Sequence, residues 1–313
     1  MKKHAIVAAL AAVAGGSALA QSNVEIYGRM NMTIERQKAG GQSSSAMVNN
    51  ASRIGFRGVE DLGGGLKAGF TLEHGFNADT GAQSQPAFWA RQSEVNLGGS
   101  WGMVRLGNFT SEAYYATADY VSMHNHDTGT SSDALYAYLG RNRDKVAYRA
   151  PSIGGVTFEA AVTQRDLPGD TNRTIDLAAN YDAGPLHLGA GYEKNGDANQ
   201  FALRALYEMG PLTVGGYLQR DKNAFAANAG NRTNVRLVAS YVVGVNEFHA
   251  NLGRAGKSGN VADSSATQWT LGYNHNLSKR TKVYAFYTKL SDSAAGLYGG
   301  DFSSLAAGIR HNF

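Results

Sequence analysis

The sequence predicts an all-β protein, a 16-stranded antiparallel transmembrane β-barrel with short periplasmic turns, long external loops and an inward-folded third loop. Three observations predict this fold. Apolar and polar residues alternate with period two along most of the chain, and the connections between such segments alternate between short and long. Beyond the amino terminus, no apolar run is long enough for a transmembrane helix.

Residues 1–20 are typical of a secretory signal peptide. Lys2 and Lys3 form a basic start, an apolar stretch follows from Ala5, and the segment ends in the A-x-A pattern Ala18-Leu19-Ala20. We therefore expect cleavage of 1–20, export to the cell outer membrane, and one barrel domain over 21–313.

Composition narrows the possible functions. The chain has no Cys, which excludes a disulfide scaffold, a thiolate metal site and a Cys nucleophile. Its formal net charge is only +4, and two of its cations lie in the signal segment, so the sequence gives no case for a nucleic-acid partner. The 39 Gly and 16 Tyr suit a β-protein with tight turns and aromatic rims.

The strands are predicted from alternation. In one clear segment Ile175, Leu177 and Tyr181 share a face, while Asp176 and Asn180 share the other. The predicted strands start near Val24, Ser52, Leu66, Trp89, Met103, Lys145, Val156, Thr174, Leu186, Phe201, Leu212, Thr233, Val245, Thr267, Lys282 and Leu305.

The connections determine the choice of fold. Short turns alternate with long polar segments, of which only Asn195 to Asn199 is brief. The predicted long loops are Lys38 to Ala51, Asn77 to Pro86, Thr110 to Asp144, Asp166 to Arg173, Asp221 to Arg232, Ala255 to Ala266 and Asp292 to Ser304. In an up-and-down sheet this pattern puts all tight turns at one end, as in outer-membrane barrels. The alternatives are a soluble sandwich or lectin, which need not obey it, and a propeller, whose repeat is absent.

Closure follows from the lipid environment, because an open sheet edge would leave backbone groups unpaired in hydrocarbon. We expect apolar side chains to face lipid and polar side chains to face an aqueous lumen, which sixteen strands leave open. Tyr181, Tyr207, Tyr241 and Trp269 have the outward phase near strand ends and suit an interfacial aromatic girdle.

The connection over about 110–144 is unusually acidic and aromatic. From Thr110 to Gly140 it has no Lys or Arg, and it contains the acids Glu112, Asp119, Asp127 and Asp133. Long irregular connections are usually functional. We expect this loop to fold into the barrel, with its apolar groups against the wall and its acids facing the passage.

Basic side chains have the inward phase on the predicted wall, and Arg141 and Arg143 flank the return of the loop. The wall cations are Arg29, Arg53, Arg57, Lys67, Arg105, Lys145, Arg149 and Arg310. Acids opposite guanidinium groups across a narrow aqueous gap would create a transverse field that filters solutes by charge and size.

Four motifs in order resemble one known family. Ser52 to Gly63 (SRIGFRGVEDLG), Phe88 to Ser93 (FWARQS), Asn142-Arg143 with Tyr148 to Pro151, and the closing Gly308 to Phe313 are similar to those of trimeric Gram-negative general porins of the beta-proteobacterial type. The resemblance spans the mature chain. It implies a homotrimer among outer-membrane lipid and lipopolysaccharide, and passive diffusion of ions and small hydrophilic solutes.

By the same resemblance, Arg53, Arg91 and Arg143 match the constriction arginines of the family, and Phe313 its terminal aromatic signal for assembly. Arg91 and Val95 are four residues apart, so in one regular strand both side chains would lie on the same face. Since Val95 is expected to face outward, this conflicts with a lumen position for Arg91. Asn108 stands where the family usually has Arg, so the resemblance does not fix the strength of any anion preference.

No catalytic or cofactor motif is present, which predicts a protein that is not an enzyme and has no cofactor or metal. His124 and His126 are closest to a metal pair, but a solvated loop pair fits them better. The other functions left open are a surface-exposed barrel acting as an adhesin and a substrate-specific channel.

Overall fold

The computed structural model describes residues 23–121, 128–140, 142–164 and 172–313, so the expected signal peptide lies outside the described residues. This part of the chain is almost entirely β-sheet. The strands are β1 (Asn23–Ala39), β2 (Gln42–Asn49), β3 (Arg53–Gly63), β4 (Leu66–Gly75), β5 (Gln92–Gly99), β6 (Gly102–Asn108), β7 (Lys145–Arg149), β8 (Val156–Thr163), β9 (Thr174–Ala183), β10 (Leu186–Asn195), β11 (Ala198–Met209), β12 (Leu212–Lys222), β13 (Asn231–Val243), β14 (Asn246–Ala255), β15 (Ala266–Asn276), β16 (Thr281–Asp292) and β17 (Phe302–Asn312).

The sheet closes on itself. Each strand pairs antiparallel with its neighbours, and β17 returns to β1 with a register from Arg29–Asn312 to Ala39–Phe302. Both β2 and β3 pair with β1, on either side of an interruption at Ala51, whose φ is 57°. They therefore form one wall strand in two pieces, and the predicted closed 16-stranded antiparallel barrel is confirmed.

One predicted loop is wrong. Lys38 to Ala51 is not a long connection, because β1 and β2 continue to a two-residue turn at Gly40 and Gly41. Their φ values of 55° and 82° are accessible to glycine and allow this tight hairpin. The serine-rich start of β2 has no apolar alternation, so hydrophobic period could not reveal this strand.

The alternation of the other connections holds in the described chain. One end has tight turns such as Gly184-Pro185 and Gly210-Pro211, and the other has the longer segments 76–91, 109–144, 223–230, 256–265 and 293–301. In transmembrane barrels the long-loop end is external and the tight-turn end is periplasmic.

The barrel is apolar outside and polar inside, as predicted. Ile34, Leu271 and Ile309 are 68%, 56% and 59% exposed on the outer face. Asn31 and Thr270, one strand position away from such residues, are both 0% exposed on the inner face. The apolar side chains are thus placed for lipid contact.

The buried apolar residues cluster where the segment 109–144 lies against the inner wall. One such cluster joins Ala118, Val121 and Tyr136 of this segment to Ala202 and Leu206 of β11. None of the described helices is both long enough and apolar enough to span a membrane. Another buried apolar cluster, of Tyr284, Phe286 and Ala306, lies on β16 and β17 and contains no residue of this segment.

Candidate functional site

The segment 109–144, called here the inner loop, enters the barrel through a short helix. This helix, α1 (Glu112–Ala116), is followed by 3₁₀ turns at Asp119–Val121 and Gly129–Ser131. The Asp176 carboxylate on β9 accepts the backbone N–H groups of Glu112 and Ala113 at 2.8 and 2.9 Å. Since the first N–H groups of a helix have no internal partner, this wall carboxylate fixes the start of α1.

The wall beneath α1 is made of small residues. A Cβ on Gly189 would come within 2.1 Å of the Ala116 carbonyl, and one on Gly191 within 2.7 Å of the Ala113 carbonyl. These glycines therefore let the helix approach the sheet closely. Sequence analysis missed this docking face, although Ala and Gly at inward positions of β10 and its neighbours were its signal.

The second half of the inner loop is held by two wall glutamines. The Gln219 amide accepts the Ala137 N–H at 2.8 Å and donates to the Ala137 carbonyl at 2.9 Å. The Gln268 amide accepts the Ala134 N–H at 3.0 Å and donates to the Ser132 carbonyl at 2.8 Å. Each side-chain amide thus forms with the loop backbone the kind of hydrogen bonds that a neighbouring strand would otherwise form. Sequence analysis did not identify these residues, whose only signal was an inward amide.

Asp133 is bound to the wall by charge. Arg236 of β13 donates from Nε at 2.8 Å and from Nη2 at 2.5 Å to its carboxylate, and Tyr217 donates a further hydrogen bond. Arg236 is 0% exposed. A bidentate, desolvated pair of this kind fixes geometry strongly, and removal of either partner leaves a buried charge.

Glu112 is also buried against the wall. Arg105 lies 2.5 Å from Glu112 and 2.7 Å from Glu94. Burial raises the pKa of Glu112 to about 8, with a contribution from the hydrogen bond to Glu159, while Arg105 acts in the opposite direction. The carboxyl of Glu112 is therefore part of the loop anchor.

The orientation expected for Glu112 needs correction. It was expected to project into the passage, but its carboxyl lies against Arg105 of the wall. Asp133 borders the cavity beside the loop, while Arg236 holds its carboxylate. A loop that is buried against a polar wall can dock only if its own polar groups meet partners on that wall. Asp119 is half-buried in its 3₁₀ turn, and Asp127 lies outside the described residues.

A cavity of about 370 Å³, called here the gap, lies between the inner loop and the segment 76–91. Tyr114, Tyr136 and Tyr138 line one side, and Gln85 and Arg91 line the other. Burial raises the pKa of Tyr136 and of Tyr138, so both phenols stay neutral at physiological pH. The loop side of the gap is thus formed by neutral aromatic and polar groups together with Asp133, whose charge is paired with Arg236.

The opposite side of the gap has surplus positive charge. Glu73 of β4 lies 2.6 Å from Arg91 Nε and 3.5 Å from Arg53 Nε, so two guanidinium groups share one carboxylate. Arg91 precedes β5, which begins at Gln92. The alternation of that strand therefore does not determine the direction of the Arg91 side chain, and the conflict with an inward position disappears. A Cβ on Gly75 would lie 2.9 Å from Arg91 Cδ, so the Arg91 side chain packs closely against the backbone of β4 at this glycine.

The other predicted wall arginines lie in different environments. Arg29 is opposite Arg53 in the β1–β3 register and donates to Asn312 at 3.1 Å. Arg57 lies nearer the periplasmic end, 2.7 Å from Glu25. The structure thus groups Arg29 with Arg53 and Arg91, and separates Arg57 from them.

Arg105 and Arg143 do not line the gap. Arg105 is 7% exposed and stacks on the Phe109 ring at 4.1 Å, beneath the loop. Arg105 has the inward phase of its strand, but the loop covers it, so it does not face the passage. The Arg143 side chain is 58% exposed, 3.9 Å from Asp144, just before β7.

Phe313 extends the last strand by one residue pair. It exchanges backbone hydrogen bonds with Gly28 of β1 at 3.0 and 3.1 Å. A Cβ on Gly28 would lie 2.3 Å from the Phe313 ring, so the glycine makes room for the aromatic side chain. The terminal residue thereby completes the seam of the barrel.

Within the described residues, no group of three or more His, Cys, Asp or Glu side chains is arranged to hold a metal ion. His124 and His126 lie outside the described residues. The geometry described above is that of a narrowed passage with a basic side and a loop-covered side.

Comparison with known proteins gives consistent matches. Residues 7–295 match the family model described as Gram-negative porin. The chain is 33% identical to outer membrane porin protein 32 of Delftia acidovorans, with all of both chains covered. It is 26% identical to the major outer membrane protein P.IB of Neisseria meningitidis serogroup A, again over all of both chains. The solved anion-selective porin from Comamonas acidovorans superposes with a TM-score of 0.79 at 29% identity, covering 94% of this chain and 100% of the other.

Proposed function

The chain belongs to the Gram-negative porin family, and from that premise we propose how its passage selects solutes. It is an outer-membrane porin for general diffusion, which passes ions and small hydrophilic solutes through an aqueous barrel. The proposal concerns the gap, where Arg53 and Arg91 form the charged side and the inner loop over about 110–144 forms the narrowing side.

The proposed selectivity is a preference for anions. The observation that carries it is the sharing of the single Glu73 carboxylate by Arg53 and Arg91, with Arg29 close by. Arg236 neutralises Asp133, and the raised pKa of Glu112 leaves that group mostly protonated at neutral pH, so both oppose this field only weakly. An uncompensated cation at a narrow aqueous gap attracts anions and repels cations. The solved relative from Comamonas acidovorans is described as anion-selective, which supports the proposal.

The size filter in this proposal is the docked inner loop. It is held from four strands by Asp176, Gln219, Arg236 and Gln268, and it presents tyrosine rings to the gap. Rigid anchoring would keep the gap narrow, so solutes would be excluded by cross-section before charge acts on them.

Further parts of the proposal rest on membership of the family. They are cleavage of 1–20 as a signal peptide, assembly as a homotrimer in contact with outer-membrane lipid and lipopolysaccharide, Phe313 as the assembly signal, and function without enzymatic activity. The family is one of channels. Unheated gel electrophoresis and mass analysis of the exported protein test assembly and processing.

Anion preference is tested by the double variant R53Q/R91Q in planar bilayers under a salt gradient. Because Glu73 remains, removing both arginines changes the local charge by two units, from +1 to −1. The anion-to-cation permeability ratio should fall about 25-fold, since each unit charge near a narrow gap contributes on the order of 1 kcal/mol. The matched control K279Q/R280Q removes two cations from a periplasmic turn and should leave the ratio unchanged. An unchanged ratio in R53Q/R91Q, with normal conductance steps, would overturn the proposal.

A further inference from the structure

Four tyrosines form a row that runs from the barrel wall to the gap. Tyr217 of β12 packs edge-on against Tyr136 with ring centroids 5.4 Å apart, and Tyr136 packs edge-on against Tyr114 at 5.7 Å. Tyr114 in turn lies 5.2 Å from Tyr138. Tyr217 and Tyr136 are 3% and 7% exposed, whereas Tyr138 is 37% exposed. The row therefore begins in the buried interior and ends in an exposed ring at the gap.

This last ring, Tyr138, is held in place by its neighbours. Its hydroxyl donates to Asn142 Oδ1 at 2.7 Å, and a Cβ on Gly140 would lie 3.6 Å from its ring. Tyr114, which it contacts, belongs to α1 and is fixed with that helix. Because a tyrosine has few rotatable bonds, and this one is already oriented, little conformational entropy is lost when a ligand binds to it. The Tyr138 ring therefore suits a binding surface.

No Lys or Arg of the described residues lies over the Tyr138 ring. Elsewhere the inner loop does form such contacts, since Arg204 lies over Tyr120 at 3.6 Å and Arg105 lies over Phe109 at 4.1 Å. Those contacts help to dock the loop on the wall. The Tyr138 ring instead borders the gap, where its exposed surface is accessible to a solute.

The same cavity contains cationic and amide donors. Arg91 lines it with a side chain that is 28% exposed, and Gln85 lines it with an amide. Arg91 donates to Glu73 from Nε at 2.6 Å, and its terminal nitrogens form no hydrogen bond with the described residues. Asp133 also borders the cavity, but its charge is paired with Arg236. The gap therefore combines an aromatic ring with an accessible guanidinium group and little uncompensated negative charge.

We propose that the gap favours one class of anion, the aromatic monocarboxylates; this inference rests on the function proposed above and names its preferred solutes. The carboxylate accepts from the planar guanidinium of Arg91, while the ring packs on Tyr138 in an offset or edge-to-face arrangement. The cavity of about 370 Å³ is within the range of small-molecule sites, roughly 300–1,000 Å³. Neutral sugars lack the charge for Arg91, and aliphatic acids lack the ring for Tyr138.

The test compares benzoate with cyclohexanecarboxylate, two monoanions of similar size of which only the first is aromatic. Each acid is added to single channels of the full-length protein in a planar bilayer, and its dissociation constant is obtained from interruptions of the potassium chloride current. The wild type should bind benzoate about fivefold more tightly, the factor expected from one aromatic pair. Equal affinities, or tighter binding of cyclohexanecarboxylate, would refute the aromatic preference.

Variants of Tyr138 assign the preference to its ring. Y138L should lose the fivefold preference, whereas Y138F should keep it, because phenylalanine retains the ring and lacks only the hydroxyl. Y115L is the matched control and should also keep the preference, since Tyr115 is a 42% exposed ring of the same loop that does not line the gap. Unheated gel electrophoresis shows whether Y138L is a folded barrel. A preference that persists in folded Y138L would exclude this ring as the binding surface.

The variant R91Q separates the effect of charge from that of the ring. It should weaken the binding of both acids by a similar factor, about fivefold for one unit charge, and leave their ratio unchanged. The reversal potential of the wild type in potassium chloride is measured on the same channels. Potassium preference there would contradict the proposed function, whereas chloride preference with equal affinities for the two acids would contradict this inference alone.

Discussion

The two sides of the lumen use charge in opposite ways. On the loop side, Asp133 with Arg236 and Asp176 with Lys145 are close pairs whose partners are almost fully buried. On the other side, Arg53 and Arg91 share Glu73 at the open gap. Desolvated pairs on the loop side hold structure, while the surplus charge on the wet side acts on permeating ions. The same residue types therefore have a structural role on one side and a selective role on the other.

The largest expected effect is on the loop side, from D133N. The neutral amide leaves Arg236 buried without its counterion, which costs on the order of 3 kcal/mol of loop docking. Single-channel conductance should rise as the loop leaves the lumen, while ion selectivity keeps its sign.

The control for this prediction is the double variant D133N/R236M, which removes the buried charge as well. It should recover most of the wild-type conductance, because an apolar side chain fills the site without an unpaired ion. If D133N conducts like the wild type, the buried pair does not hold the loop.

A smaller effect is expected from D176N. The two carboxylate oxygens of Asp176 accept one N–H each, from Glu112 and Ala113, whereas an amide has only one acceptor oxygen. The substitution also removes the counterion of Lys145. The expected loss of loop docking is roughly 2 kcal/mol. Protease cleavage within the inner loop should be faster than in the wild type, and equal cleavage rates would contradict the role of Asp176.

These anchors mark the limit of what the sequence reveals. Alternation and turn residues are local signals, and they correctly predicted closure, sidedness and most connections. The phase of β12 and β15 also put Gln219 and Gln268 inside the barrel. However, their partners in the inner loop are 82 and 134 residues away in the chain. Such pairings depend on how the loop crosses the lumen, which no local pattern encodes.

The arginines show the same limit. Inward phase puts both Arg53 and Arg105 on the wall, yet Arg53 shares Glu73 with Arg91 of the gap and Arg105 lies beneath the loop. Arg91 could not be placed by parity, because it precedes the strand that parity describes. Phase gives the face of a strand, while the position of the loop decides which wall charges meet solvent.

A further expected effect is the pH dependence of loop docking through Glu112. Its pKa is about 8 in the docked loop, against an ordinary value of 4.5. A raised pKa means that docking is favoured most below about pH 4.5, weakens as the pH rises, and stops changing above about pH 8. Open-state noise from loop motion should increase over this window in the wild type and stay flat in E112Q. The same increase in E112Q would assign the titration to another group.

The central claim is that the gap has a net positive character, because Asp133 is paired with Arg236 and Glu112 is buried beneath the loop, whereas two arginines share Glu73 on the other side. The most direct test is the reversal potential of the wild-type channel across a potassium chloride gradient at neutral pH. The account predicts a potential with the sign of chloride preference. A potential with the sign of potassium preference would contradict it.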